Sequence, residues 1–338
     1  MSFYLELDNE NFRKHLTTTK RDFENLIPVI KGNGYGFGIE HLAKEANDLN
    51  CDVICVGTIF EAAAVASVFK GRILVLEPFN TADRDASNQW QDFDKRFIRT
   101  ISSISSGFKF DAPYVIEGRV STNRFGLSKA EISDLELNNA QIEGLALHLA
   151  INQSDEEKLK EIAEWLEIWK KASANKTIWL SHVSKNLLNK IRNTYPELKI
   201  NVRVGTELWL GDKSFLSAKG VVLGVIEGVS KAGYSQKKLS KNIKIIVVSG
   251  GTANGLGLNS DISIKKFADR LRVFLAGLLG TFGKYQSSFL INGKKAYLFE
   301  PTHMNVSLLQ VPRNEKVNVG EVLDAKVRYS TSKFDFIK

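Results

Sequence analysis

Residues 26–38 read LIPVIKGNGYGFG. The apolar run Leu26–Ile30 reaches Lys31 and gives way at once to a segment in which every second residue, Gly32 to Gly38, is glycine. Such a run fits a strand covered on both faces. The glycines let the backbone turn sharply and approach a ligand closely. The segment is not a Walker loop and lacks the G-x-G-x-x-G order, so it gives little support to nucleotide binding.

Seven more β-rich runs follow: Asp52–Gly57, Arg72–Leu76, Phe97–Ile101, Pro113–Glu117, Ile142–His148, Thr177–Leu180 and Lys199–Arg203. Segments of helical spacing lie between most of them. The clearest is Glu156–Ala174, where Leu159, Ile162, Ala163, Leu166 and Trp169 form one stripe. The weakest connection is the fourth, SSISSG, which hardly reads as a helix. Eight βα units in about two hundred residues favour a closed (β/α)8 TIM-type barrel. Periodicity counts strands without closing them, so an open doubly wound sheet is the alternative.

After Gly211 the texture changes. Val221–Val229, Ile243–Val248, Phe289–Ile291, Ala296–Phe299, Val306–Val311 and Val322–Tyr329 read as strands separated by turns. The expected organisation is a barrel over 8–215 followed by a smaller, mainly antiparallel β domain over 216–338, joined by 1–7. An amphipathic helix near 264–279 is expected inside it, with Phe267, Leu271, Phe274, Leu275 and Leu278 on one side.

Apolar residues make up 43% and charged residues 25% of 338, as in soluble globular proteins. Cys51 and Cys55 both fall in the run CDVICVG and read as reduced core thiols, with a C-x₃-C metal half-site as the alternative. The net charge of +8 is scattered, with local runs only at KKLSKNIK and IKKF, and reads as a solvated basic surface rather than a nucleic-acid or membrane patch. The N-terminal residues lack the layout of a signal peptide, and no apolar run is long enough to span a bilayer. A cytoplasmic protein without nucleic-acid, membrane or metal partners is expected.

Active sites of such barrels lie at the C-terminal ends of the strands. Polar residues there are Lys31, Arg124 in STNRFGL, His148 in GLALHLA, Ser184 in LSHVSKN and Arg203 in NVRVGTELW. Each alone reads as a rim or core residue; five converging at one mouth favour a site.

These segments resemble the alanine racemases, fold-type III pyridoxal phosphate enzymes. PVIKGNGYGFG is similar to the family's V-V-K-A-N-A-Y-G-H-G, STNRFG to T-G-M-x-R-L-G, IEGLALHLA to G-x-x-x-H-F-A, and NVRVGTELWLG to V-R-P-G-I-x-x-Y-G. VGTIFEA and ILVLEPF resemble its second and third βα units. The resemblance implies pyridoxal phosphate held on Lys31 as a Schiff base, with Lys31 also acting as a base at Cα. It implies a phosphate site at Tyr35, Ser184, Gly205 and Thr206, His148 against the ring, and Arg203 facing the ring nitrogen. Arg124 would hold the phenolate oxygen and the substrate carboxylate. The implied protein is a homodimer racemising L- and D-alanine or another small amino acid.

The match weakens in the β domain. VVSGGTANGLG lies over the family's V-G-Y-x-D-G, which puts Thr252 where the second catalytic Tyr of the partner subunit stands and Asn254 where Asp stands. The M-D substrate pair appears as Met304-Asn305. Glu117 stands where many members carry a carbamylated Lys, and the resemblance implies that it would supply that negative charge directly. The family's terminal strand with a phosphate-binding Tyr has no counterpart before FDFIK. Three outcomes follow: a racemase with a replacement acid such as Tyr234, Tyr285 or His303; a lyase or decarboxylase needing Lys31 alone; or a non-catalytic cofactor-binding homologue.

Overall fold

The computed structural model describes residues 2–91, 94–104, 112–135, 137, 141–258, 270–271, 273–275, 277–278 and 285–338. The chain divides into two units, residues 10–212 and residues 1–9 with 213–338.

In the first unit eight parallel strands run in chain order around a ring. They are β2 (Leu26–Pro28), β3 (Val53–Val56), β4 (Arg72–Pro78), β5 (Phe97–Ile101), β6 (Tyr114–Gly118), β7 (Ile142–His148), β8 (Thr177–Ser181) and β9 (Lys199–Val204), β1 (Phe3–Leu7) belonging to the second unit. All eight fall on the runs expected from the sequence. β2 pairs with β9 on one side. On the other, Val29 bridges Cys55 and the Ile30 N–H donates to the Cys55 carbonyl at 2.7 Å. Those contacts close the ring, and the open sheet drops out.

Continuous apolar runs succeed here because the strands are covered on both faces. Inside the ring, Ile27, Val29, Cys55, Leu74, Ile98, Val115, Ala146 and Trp179 pack as one cluster drawn from seven strands and their ends. Trp179 is the largest of them, and its indole N–H donates to the Glu143 carbonyl at 2.8 Å. Outside, the helix Asp155–Ala172 buries Ile162, Trp165, Leu166 and Trp169, close to the expected stripe. It starts at Ser154 because that hydroxyl accepts from the Glu157 N–H while the Glu157 carboxylate accepts from the Ser154 N–H. At the N-terminal end of the ring, Arg72 on β4 makes a bidentate pair with Glu143 on β7, at 2.6 and 3.0 Å. Most of the SSISSG connection, from Ser105, lies outside the described residues.

The second unit is antiparallel. Besides β1 it contains β10 (Leu216–Ile226), β11 (Lys231–Ala232), β12 (Lys237–Lys238), β13 (Ile243–Ser249), β14 (Gln286–Ile291), β15 (Lys294–Leu298), β16 (Val306–Pro312) and β17 (Val322–Ala325). The main sheet runs β1-β10-β13-β16-β15-β14-β17, and β17 also returns to β10. Its core packs Phe3, Val222, Ile246, Val248, Phe289 and Leu309. The expected strand Val322–Tyr329 stops at Ala325, and Tyr329–Thr331 forms a helical turn instead. The β11–β12 hairpin was not legible, being two residues a side and lysine-rich. The expected helix near 264–279 falls largely outside the described residues; those described, Phe274 and Leu275 among them, are helical and exposed.

Because Trp179 fills the ring interior, Trp179→Ala is expected to destabilise the barrel by about 3–5 kcal/mol, measured by urea unfolding followed by far-UV circular dichroism.

Candidate active site

Strand register assembles the polar end of the ring. Arg203 on β9 is the register partner of Ser181 on β8, which is the partner of His148 on β7. The three form one row of side chains. The Arg203 guanidinium donates to the Leu147 and Trp179 carbonyls at 3.0 and 3.3 Å and to Ser181 Oγ at 3.3 Å. Ser181 Oγ is in turn 2.8 Å from His148 Nδ1. Glu117, near the end of β6, is buried, and one carboxylate oxygen, Oε2, has no hydrogen-bond partner among the described residues. The same holds for Arg203 Nε.

Burial and crowded positive charge tune these groups. Burial, then the charges of Arg203, His182, Arg124 and Lys31, pushes His148 down to about 3, so its ring is neutral at any ordinary pH. Burial raises the Glu117 carboxyl, with Arg203 and Arg124 opposing. Burial also pushes the Cys55 thiol up to about 12, against the pull of Arg203 and Lys31. Cys55 is therefore an inert core thiol. Among the described residues no group of three or more His, Cys, Asp or Glu is placed to hold a metal ion.

Lys31 stands exposed just past the closure of β2 on β3. The glycine-rich segment after it earns its composition: Gly32, Gly34, Gly36 and Gly38 all have positive φ, between 60° and 97°. Tyr35 shares that conformation at φ 55°, which a bulky residue adopts only under constraint. Two contacts supply the constraint. The Tyr35 hydroxyl shares a hydrogen bond with the Thr206 side chain, and a Cβ on Gly205 would lie 2.2 Å from that hydroxyl. Burial pushes the phenol up to about 12, the Thr206 contact working the other way. Glu61 adds a strap: its carboxylate accepts from the Gly32 N–H at 2.9 Å and the Gly57 N–H at 2.6 Å, joining the loops after β2 and β3.

The structure thus gathers Lys31, Tyr35, His148, Arg203, Gly205 and Thr206 at one end of the ring. Arg124 follows β6 and is exposed, its guanidinium 5.3 Å from the Phe125 ring centroid. Ser184 is engaged elsewhere. Its hydroxyl donates to Asp155 at 2.6 Å and accepts from the Leu187 N–H, capping the helix Lys185–Thr194. His182, Ser181 and Glu61 were not singled out from the sequence. His182 lies in the quoted LSHVSKN; it adopts φ 59° and sets its ring 4.9 Å from that of His148.

The family model described as "Alanine racemase, N-terminal domain" matches residues 7–211. The chain belongs to the alanine racemase family. Over 192 residues, 52% of this chain, it is 26% identical to alanine racemase 2 of Caldanaerobacter subterraneus subsp. tengcongensis, spanning about half (49%) of that relative. Alanine racemase from Bartonella henselae, solved with covalently bound pyridoxal phosphate, superposes at a TM-score of 0.67 with 16% identity, covering 100% of this chain and 99% of that one. The Bacillus anthracis alanine racemase with bound L-Ala-P gives 0.66 at 16% identity, covering 96% and 85%. At these identities the superpositions establish the barrel-plus-β architecture.

The segment VVSGGTANGLG, over which the sequence comparison laid the family's V-G-Y-x-D-G, falls in the second unit. There Thr252 opens a short helical turn, Thr252–Asn254, and its N–H donates to the His303 carbonyl at 2.8 Å. Asn254 is structural: Oδ1 accepts from the Gly251 N–H and Nδ2 donates to the Lys333 carbonyl. Met304 is exposed, and the Asn305 carbonyl accepts from the Gly250 N–H. Tyr234 stacks on His303 with centroids 4.3 Å apart, and His303 Nε2 lies 2.6 Å from Glu300. Tyr285 is exposed.

The depressed His148 has a stability consequence. Folded His148 resists protonation down to about 3 against an ordinary 6.5, so the unfolded chain takes the proton first as pH falls. The stability it contributes is complete above about 6.5 and is lost progressively toward 3. His148→Gln is expected to flatten this acid-side decline, read as a smaller drop in urea midpoint between neutral pH and about pH 4.

Proposed function

We propose that this chain is a pyridoxal phosphate-dependent amino-acid racemase. The carrying observation is Lys31, exposed at the barrel mouth that also holds the Tyr35–Gly205–Thr206 corner and the Arg203–Ser181–His148 row.

The residues fit the cofactor. Gly205 leaves no room for a side chain where Tyr35 closes on the backbone, as a corner built to bring backbone N–H groups to a phosphate requires. The donor set there is a phenol, a threonine hydroxyl and backbone amides beside a primary amine, which suits an anionic aldehyde. Arg203 keeps a buried Nε with no partner among the described residues.

Pyridoxal phosphate supplies an electron-withdrawing ring which, joined to the substrate nitrogen, acidifies the hydrogen on Cα. Lys31 binds the cofactor and moves the proton on one face of Cα. Tyr35, Gly205 and Thr206 hold the phosphate. His148, fixed by Ser181 and neutral, would pack against the ring without adding charge. Arg203 would face the ring nitrogen with a group that does not give up a proton. Arg124 holds the substrate carboxylate, with Glu117 balancing the charge of Arg124 and Arg203. The expected homodimer belongs to this reading, and light scattering tests it.

Thr252 favours a second reading. A threonine hydroxyl is too weak an acid to serve the opposite face of Cα near neutral pH, and one-face chemistry, a lyase or decarboxylase, needs Lys31 alone. Hydrogen exchange at Cα in deuterated water separates the two. Racemisation gives exchange into both D- and L-alanine or another small amino acid; exchange into one enantiomer selects the second reading.

Lys31→Ala is expected to abolish the borohydride-trappable visible absorbance and all exchange; an unchanged absorbance would refute both readings. Gly205→Ala, by displacing Tyr35, is expected to weaken cofactor binding about tenfold or more, read by absorbance titration.

A further inference from the structure

The barrel mouth also holds a cavity of about 610 Å³, within the range of small-molecule sites. Glu77, Phe79 and Asp83 wall it at the end of β4, Ser102 lies just past β5, and Arg119 and Arg124 come from the segment after β6. Since β5 runs between β4 and β6 in the ring, two carboxylates and two guanidiniums occupy opposite flanks. These strands lie across the ring from β2 and β9, which carry Lys31 and the Tyr35–Gly205–Thr206 corner. Arg124 links the two regions: it lines the cavity, and its charge is felt at His148 and Glu117.

A methyl side chain would leave this space to water and meet none of its charges. A molecule with a carboxylate at one end and a cation several bonds away matches both flanks. We propose that the preferred substrate is an amino acid with a cationic side chain, its α-carboxylate toward Arg124 and its side-chain cation toward Glu77 and Asp83. The inference rests on the amino-acid reading above and sharpens it.

Two further observations agree. Arg119 Nε donates to the Gly126 carbonyl at 2.9 Å, while its one carboxylate neighbour among the described residues, Glu131, stands 3.7 Å away, so the terminal N–H groups of this flank stay available to a carboxylate. Partial loss of water, then the charges of Asp83 and Glu61, holds the Glu77 carboxyl above its ordinary value; an incoming cation relieves that crowding.

The test titrates full-length, cofactor-loaded protein with lysine, norleucine, alanine and glutamate by calorimetry, alongside Cα-hydrogen exchange. Norleucine keeps the aliphatic stem and lacks the ammonium. Lysine is expected to bind about tenfold or more tighter than norleucine. Glu77→Gln is expected to erase that advantage while leaving norleucine binding in place, which separates a lost charge contact from misfolding; Glu77→Asp should restore part of it. Equal binding of lysine and norleucine, or a preference for alanine or glutamate, overturns the inference and leaves the racemase reading standing. If no amino acid binds the loaded protein, both fall.

Discussion

The contact on which the rest depends is the closure of β2 against β3. A parallel sheet left open there would carry Lys31 on an edge strand, with its neighbours free to splay. The Val29–Cys55 bridge and the Ile30-to-Cys55 hydrogen bond remove the edge. They also fix where the chain leaves the ring, three residues past Pro28. From then on the stagger of eight strands dictates which residues reach the open end. The Arg203–Ser181–His148 row needs no loop to assemble it, because neighbouring strands place the three in register.

That row sits in an unusual electrostatic setting. Cations outnumber anions around it, and Arg203 within the row and Glu117 beside it are each buried with an atom unsatisfied among the described residues. Arg203 is held below its ordinary basicity by burial, with Cys55 and Glu117 pulling the other way. Such a cluster costs folding free energy unless an anionic partner shares the space. A phosphate-bearing ligand is the partner that these groups suit, so the features that favour binding and those that weaken the empty barrel are the same.

Much of this was legible in the sequence. Apolar runs of four to seven residues are what doubly covered strands require, and β5 and β7 fell on their expected bounds to the residue. Lys31, His148 and Arg203 were found because strand ends face the mouth of a barrel, and Tyr35 through the family resemblance. What stayed hidden depends on pairing rather than on pattern. Ser181 matters only through its neighbours on β7 and β9, and His182 only through a left-handed turn. Ser184 was placed at the phosphate by resemblance, yet S-x-x-x before a helical run is equally a capping signal, and capping Lys185–Thr194 is what it does. In the β unit most strands were legible and the chemistry was not: Thr252 and Asn254 form a short helical turn whose hydrogen bonds no sequence pattern announced.

The Glu61 carboxylate, accepting from the Gly32 and Gly57 N–H groups, bears on rate as well as on shape. It hangs the lysine loop from the next strand by two charge-assisted bonds. The loop is then ordered when the barrel folds, not when a ligand arrives. Little entropy is left for the encounter itself to remove, so the lysine amine meets its partner from a narrow range of positions. Glu61 thereby acts as the spring-stop of the loop that carries Lys31.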